Sequence, residues 1–415
     1  MASSESSPGP AQHHPNLPLA GISVIECGQG VAAAYGAKLM AMLGADVIKV
    51  EPPGGDISRC RGPYFDDAAD INQSGLFLYL NADKKGVTLD LADPADRAAL
   101  DSLLARADIL LHNIAPRERA AVGMESGALL RAHPGLIIAG ISPFGDYGPY
   151  AHYHAYEITA AHASGMASLA PAVSQFPDRP PLKLFGHQAE FQAGVFAALT
   201  AMAAYLYRAQ GGFGQAIEIS EQECLATMLE GAIPIYSYTS RSPSRLGHHT
   251  YGPRSIWPTR DGWIFINPGE EEQWQRLVEL MGNPEWASEE IFKDRLTRAQ
   301  NWDVLKVFLE EWVSQQTVLD LYRKAQAKRV PFAPVSTMGD LLSNEHLKAR
   351  GFFVEITQPV AGTHKYPGAP LKYHRTPWEI RMPAPTLGQH NAEVFATKLG
   401  LSTARIDELK RKGVI

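Results

Sequence analysis

The sequence predicts an α/β fold: a large doubly wound (Rossmann-like) domain built on a parallel sheet, whose pattern is interrupted once. Three observations carry this. Short apolar runs alternate with helical stretches from Ile22 to Gly145, the alternation stops near Glu230, and it resumes near Phe332. A chain of 415 residues, 45% hydrophobic and 20% charged, is long enough for more than one core. The pattern thus divides the chain into a disordered tail over 1–16, α/β segments over 17–235 and 331–415, and a different stretch over 236–330.

The tail is rich in Ser, Gly and Pro and has neither a basic start nor an apolar core, so it reads as a disordered leader and not as a signal peptide. Ile22–Glu26 then reads as a buried strand, Gly28–Gly30 as a turn, Ala32–Leu43 as a helix and Ala45–Glu51 as a second strand. This opening carries half of a dinucleotide fingerprint. Ala33 stands where a third glycine belongs and Glu51 is the only acid near a ribose position, so no nicotinamide cofactor is expected. Gly86–Leu91 is a strand, Asp93–Ala107 a helix with Pro94 in its first turn, and Asp108–Asn113 and Gly135–Gly145 are further strands. In such a sheet ligands bind beyond the carboxyl ends of the strands. The loops there, 51–56, 112–119 and 143–150, are rich in Gly and Pro.

The stretch LKLFGHQAEFQAG (Leu182–Gly194) leads into a long apolar helix over Gln188–Arg208 and places Glu190 in its first turn. By pattern alone, such an acid is a helix-start residue favoured by the positive end of the dipole. The net charge of −6 and pI near 6.2 argue against nucleic acid or an anionic membrane as partner. The apolar run Val195–Tyr207 is short for a bilayer span. Cys27, Cys60 and Cys224 are widely spaced, which fits a reducing, cytoplasmic setting, and no metal-ligand spacing appears.

Taken in order, LAGISVIECG, LGADVIKVEPPGGD, NADKKGVTLDL, HPGLIIAGISPFGDYGPY, GFGQAIEIS, DGWIFINPGEEEQW, RVPFAPVSTMGDLLSNEHLKARGFF and PAPTLGQHNAEVF resemble the class III CoA-transferases, the family of formyl-CoA and carnitine CoA-transferases and α-methylacyl-CoA racemases. The resemblance runs from about Leu17 to Ile415. It implies a large domain built from 17–235 and 331–415, a smaller α+β domain over 236–330, a dimer of interlocked rings, a CoA thioester and a carboxylic acid as substrates, and no cofactor beyond CoA as acyl carrier. It also implies covalent catalysis by an aspartate that attacks the thioester carbonyl.

Glu190 holds the matching position, one methylene longer than the family's aspartate. That moves the carboxylate by about 1.3–1.5 Å, and a misplacement near 1 Å costs about a hundredfold in an attack that depends on geometry. By the same resemblance Tyr156 and Glu157 match a pocket-lining pair, Asn113 a residue of the CoA site and His154 a lysine. Gly269 belongs to the glycine loop that shields the intermediate; here three acids follow it. Gly30 lies in the CoA-facing turn. Pro52 and Ala121 replace arginines that hold CoA phosphates, for which Arg117, Arg119, Lys49, Arg59 or Arg61 would have to substitute.

The coincidence of these departures favours a structural partner subunit in a heteromeric transferase, the aspartate residing on a paralogous chain, as in succinyl-CoA:benzylsuccinate CoA-transferase. A homodimer using Glu190 as nucleophile is the alternative. A racemase is disfavoured because Ala155–Thr159 lacks the expected His-Asp pair, and a scaffold that binds without reacting is the remaining reading. Tyr236, Tyr238, Tyr251, Trp257 and Phe265 read as ordinary core, with the lining of an apolar acyl pocket as the alternative, and His248, His249 and Arg254 as a loop able to meet an acid.

Overall fold

A computed structural model describes residues 17–171, 179–243, 245, 253–400, 402 and 406. The tail over 1–16, His248, His249 and Tyr251 lie outside the described residues. The chain forms two compact units, one of residues 1–167, 183–234 and 352–415 and the other of residues 168–182 and 235–351.

The larger unit opens with β1 (Ser23–Cys27), α1 (Ala32–Ala41) and β2 (Asp46–Glu51). It continues through α2 (Gly75–Asn81), β3 (Lys84–Thr88), α3 (Pro94–Leu104), β4 (Ile109–His112), α4 (Pro116–Arg119), α5 (Ser126–Ala132) and β5 (Ile137–Ser142). After α6 (Glu157–Ala163) and α7 (Gln188–Ala209), β6 (Ala216–Ser220) and α8 (Glu221–Ala226) complete the series. The six strands lie parallel in the order β3-β2-β1-β4-β5-β6, the doubly wound arrangement expected from alternating strands and helices.

Strand periodicity sends alternate residues to opposite faces. Val24, Val47, Ile109 and Ile137 pack with α1 and α7, whereas Ile25, Ile48, Leu110 and Ile138 pack with α3, α5 and a helix over Asn391–Leu399. That last helix explains why the chain returns. His390 Nδ1 accepts the Gly86 N–H at 3.1 Å, and Asn391 accepts the Thr88 N–H at 2.9 Å, so the chain's end covers the open edge of β3.

α7 is 22 residues long and by length and composition would reach across a bilayer, longer than the apolar run suggested. Ala189, Ala193, Ala197 and Ala201 are nevertheless fully buried, which makes it a core helix. Its approach to α1 depends on glycine. A Cβ at Gly194 would stand 2.6 Å from Ala32 O, and one at Gly36 2.8 Å from Gly194 O. A side chain on either residue would push the helices apart, so this glycine pair fixes where α7 begins relative to β1.

Three lysine–carboxylate contacts run through the sheet with no solvent exposure. Glu26 Oε1 and Oε2 each lie 2.7 Å from an ammonium, those of Lys49 and Lys84, and Lys49 reaches Asp56 at 2.8 Å. Burial opposes the charged carboxylate, but the two ammoniums hold Glu26 below its ordinary range. Burial pulls Lys84 down to about 8 against the attraction of Glu26.

In the smaller unit, strands over Ser255–Pro258, Trp263–Ile266 and Phe332–Pro334 form an antiparallel sheet. Trp257, Ile264 and Phe332 share a core with Trp274, Leu305, Leu309 and Leu321 from its helices. This is the α+β unit expected, with its boundaries moved. The expected return to the large domain at 331 is corrected to 352, because Phe332–Pro334 pairs with Trp263–Ile266, and residues 168–182 also join the smaller unit. Trp257 is core as expected, whereas Tyr236 and Tyr238 are exposed.

Candidate active site

At the carboxyl ends of β1, β2, β4 and β5 the larger unit encloses a cavity of about 840 Å³, walled by Cys27, Glu51, Asn113, Ser142 and, from the first turn of α7, Glu190. The turn between β1 and α1 forms one side. Gly30 adopts a left-handed φ of +76°, and its N–H donates to Asp56 Oδ1 at 3.0 Å. Asp56 is the end of the buried lysine chain, so the sheet's charges anchor the turn; those contacts hold its carboxyl low although burial opposes ionisation. Asn113 clasps the same turn, accepting the Gln29 N–H at 2.9 Å and donating to Gln29 O at 2.6 Å.

Glu190 stands directly across from this turn. A Cβ at Gly30 would lie 3.8 Å from Glu190 Oε1, while Glu190 Oε2 meets His187 Nδ1 at 2.6 Å. The carboxyl is 19% exposed, reachable from the cavity but held on one oxygen. Glu157, buried at the start of α6, accepts the Ala189 N–H at 3.3 Å and pairs with Lys183 at 2.8 Å. It thereby satisfies one of the open donors of α7 and ties the segment before the helix to α6. Glu221, the first residue of α8, completes the wall. Burial, then Glu190, then Glu157 push its carboxyl up to about 8.

The structure brings Glu190, Glu157, Tyr156, Asn113 and Arg117 to this cavity and leaves other expected residues outside it. Tyr156 is 76% exposed and forms the rim. His154 is exposed and is not among the lining residues, although Tyr153 and Ala155 beside it are. Arg119 is corrected most clearly. It is 5% exposed, with its guanidinium on Asp146 and its Nε donating to Ile114 O at 2.9 Å, so it braces the loop after β4. Lys49 and Arg59 are fully buried, the latter gripping Glu51 through both nitrogens at 2.6 and 2.8 Å. Arg61 and Arg117 do line the cavity, Arg117 with its guanidinium 3.0 Å from Glu118. Gly269 belongs to the smaller unit, where it precedes a helix over Glu271–Leu280.

His187, Lys183 and Glu221 were missed by sequence reasoning. His187 lies three residues before Glu190, a helical spacing that was available as a signal. Glu221 carried none, since α8 begins far along the chain from α7. Among the described residues, no cluster of three or more His, Cys, Asp or Glu is placed to hold a metal ion. Chemically, the site offers a solvent-reachable carboxyl group beside a backbone turn and a second acid that burial keeps from ionising readily, a setting suited to acyl transfer through a carboxylate.

Over 412 residues the chain is 31% identical to the succinyl-CoA–D-citramalate CoA-transferase of Chloroflexus aurantiacus, covering 98% of this chain and 100% of that one. It is 30% identical to the succinyl-CoA–L-malate CoA-transferase alpha subunit of Chloroflexus aurantiacus, covering 99% and 95%. A crystal structure of a CAIB/BAIF family protein from Brucella suis superposes with a TM-score of 0.83 at 28% identity, covering 92% of this chain and all of that one. Residues 19–391 match CoA-transferase family III, and the chain belongs to that family.

Proposed function

We propose that the protein moves CoA from an acyl-CoA donor, succinyl-CoA in the first instance, to a small carboxylic acid such as a substituted succinate. It does so as one subunit of a cytoplasmic heteromer with a paralogous chain, interlocked as rings. The carrying observation is Glu190, whose carboxylate stands across the cavity mouth from the Gly30 turn at the aspartate position of the family. The donor is supported by the printed names of relatives that use succinyl-CoA, and the heteromer by a relative that is itself an alpha subunit. Three unpaired cysteines fit the compartment.

In the alternative reading, a homodimer with Glu190 as its nucleophile, the chemistry at this position balances as two exchanges. A carboxylate oxygen adds to the thioester carbonyl and CoA leaves as thiolate, giving an acyl–glutamyl anhydride. The thiolate attacks the glutamyl carbonyl and expels the donor acid. The acceptor carboxylate then repeats the sequence in reverse and restores the side chain. His187 on Oε2 leaves Oε1 as the attacking atom. CoA enters as a substrate, with its phosphates on Arg61 and Arg117, and no further cofactor is invoked.

The partner-subunit reading rests on glutamate replacing aspartate while Lys49, Arg59 and Arg119 are committed to internal contacts. The test is expression of the chain alone and with its paralogue, native mass spectrometry, and transfer from succinyl-CoA to candidate acids. Activity confined to the mixed assembly and retained by Glu190→Ala is expected. A self-sufficient dimer silenced by Glu190→Ala would overturn the partner role and make Glu190 the nucleophile.

A further inference from the structure

The cavity wall holds six carboxylates, and five of them have work within the protein. Glu51 is held by Arg59, Asp90 by the Ala92 N–H, Glu118 by Arg117, Glu157 by Lys183 and the Ala189 N–H, and Glu190 by His187. Glu221 is different. It is 5% exposed and lines the cavity, yet among the described residues its carboxyl has neither a cation nor a hydrogen-bond donor. A buried carboxylate without partners is costly, and a neutral carboxylic acid in the same place is not, because its O–H can be offered to a ligand. The groups that face it, Glu190 on α7 and Glu157 on α6, are acids that discourage ionisation, while Lys183 and His187 are already engaged with those two.

We propose that Glu221, carried as the neutral acid, is a specificity-determining residue that donates its O–H to a carboxylate oxygen of the acid entering or leaving this cavity. The ligand class is an organic carboxylate. Donor acid and acceptor acid share the chemistry, since each occupies the same place beside the reacting carboxyl in its half of the exchange. A further, unpaired anion on the wall would repel them, whereas a neutral donor attracts them and leaves a cavity of mixed charge. The inference rests on the transferase reading above in the form in which Glu190 of this chain reacts, and adds to it a residue on α8 that recognises the acid.

The test uses the assembled protein and three forms of it: wild type, Glu221→Gln, which keeps a donor but cannot ionise, and Glu221→Leu, which has no donor. With succinate as the probe acid, Glu221→Leu should raise its KM about tenfold or more, the value of one hydrogen bond to a charged group. The KM for succinyl-CoA should move less. Raising pH through about 8 should increase the wild-type KM for succinate and leave that of Glu221→Gln flat. An unchanged succinate KM in Glu221→Leu, or the same pH dependence in Glu221→Gln, overturns the proposal. Urea unfolding supplies a readout without turnover. The acid is raised on folding, so wild type should lose stability relative to Glu221→Gln between pH 5 and pH 8.5, and a constant difference would also overturn it. Absence of any CoA exchange by wild type, or exchange that survives Glu190→Ala, would sink the reading in which Glu190 reacts and the ligand with it, whereas failure confined to the Glu221 variants sinks this inference alone.

Discussion

Removing the Glu26 carboxylate probes the buried lysine chain most directly. In Glu26→Gln the amide keeps the volume but no longer neutralises Lys49 and Lys84, both fully buried and both 2.7 Å from it. Lys49 retains Asp56 at 2.8 Å, but Lys84 is left with only Ala34 O and the Asn81 side chain, each at 2.8 Å. Breaking one buried pair costs about 3–5 kcal/mol, a large share of the ~5–15 kcal/mol that holds a typical domain.

The pH dependence gives the sharper signature. Lys84 already titrates near 8 when folded, below its ordinary 10.5, so the unfolded chain binds the extra proton and stability rises with pH across that window. Without Glu26 the folded value falls further and the window opens at lower pH. Urea unfolding from pH 6.5 to 9.5 should therefore show a loss that is largest at the acid end and shrinks as pH rises. A second variant, Glu26→Gln with Lys84→Met, removes the stranded ammonium and should recover more than half of the loss. A single-variant loss below about 1 kcal/mol, or a double variant as unstable as the single, would refute the account of these charges as one compensated unit.

Arg117→Ala should raise the KM for acyl-CoA roughly tenfold with little change in Tm, while Arg119→Ala should lower Tm through loss of its Asp146 pair; steady-state kinetics beside calorimetry separates the two. Gly194→Val should destabilise by about 1–3 kcal/mol in urea unfolding, because its Cβ would start 2.6 Å from Ala32 O; unchanged stability would mean that α1 and α7 need no glycine contact. His112 is fully buried, and burial together with Arg119 lowers it to about 3, so folding loses stability as pH falls below 6.5. The stability difference between wild type and His112→Leu should shrink by about 1.4 kcal/mol per pH unit from 6.5 to 4, and a constant difference would contradict this.

The sequence by itself determined the alternation of strands and helices, and with it the parallel sheet, because the short apolar runs of β1, β2, β4 and β5 have no other way to be covered on both faces. It also singled out Glu190, since the breakers before Gln188 and the apolar helix after it are local signals. The remaining features were decided by tertiary structure, because they depend on distances between elements far apart in the chain. Lys49 and Arg59 look like free cations in sequence and become internal partners only once β1, β2 and the loop after β2 meet. Arg119 turns away from the cavity because Asp146 lies beside it in space, 27 residues on. Phe332–Pro334 reads as a return to the parallel sheet until its pairing with Trp263–Ile266 gives it to the smaller unit. Glu221 acquires its character from α6 and α7, whose acids approach it only in the folded chain, and no periodicity records such an approach.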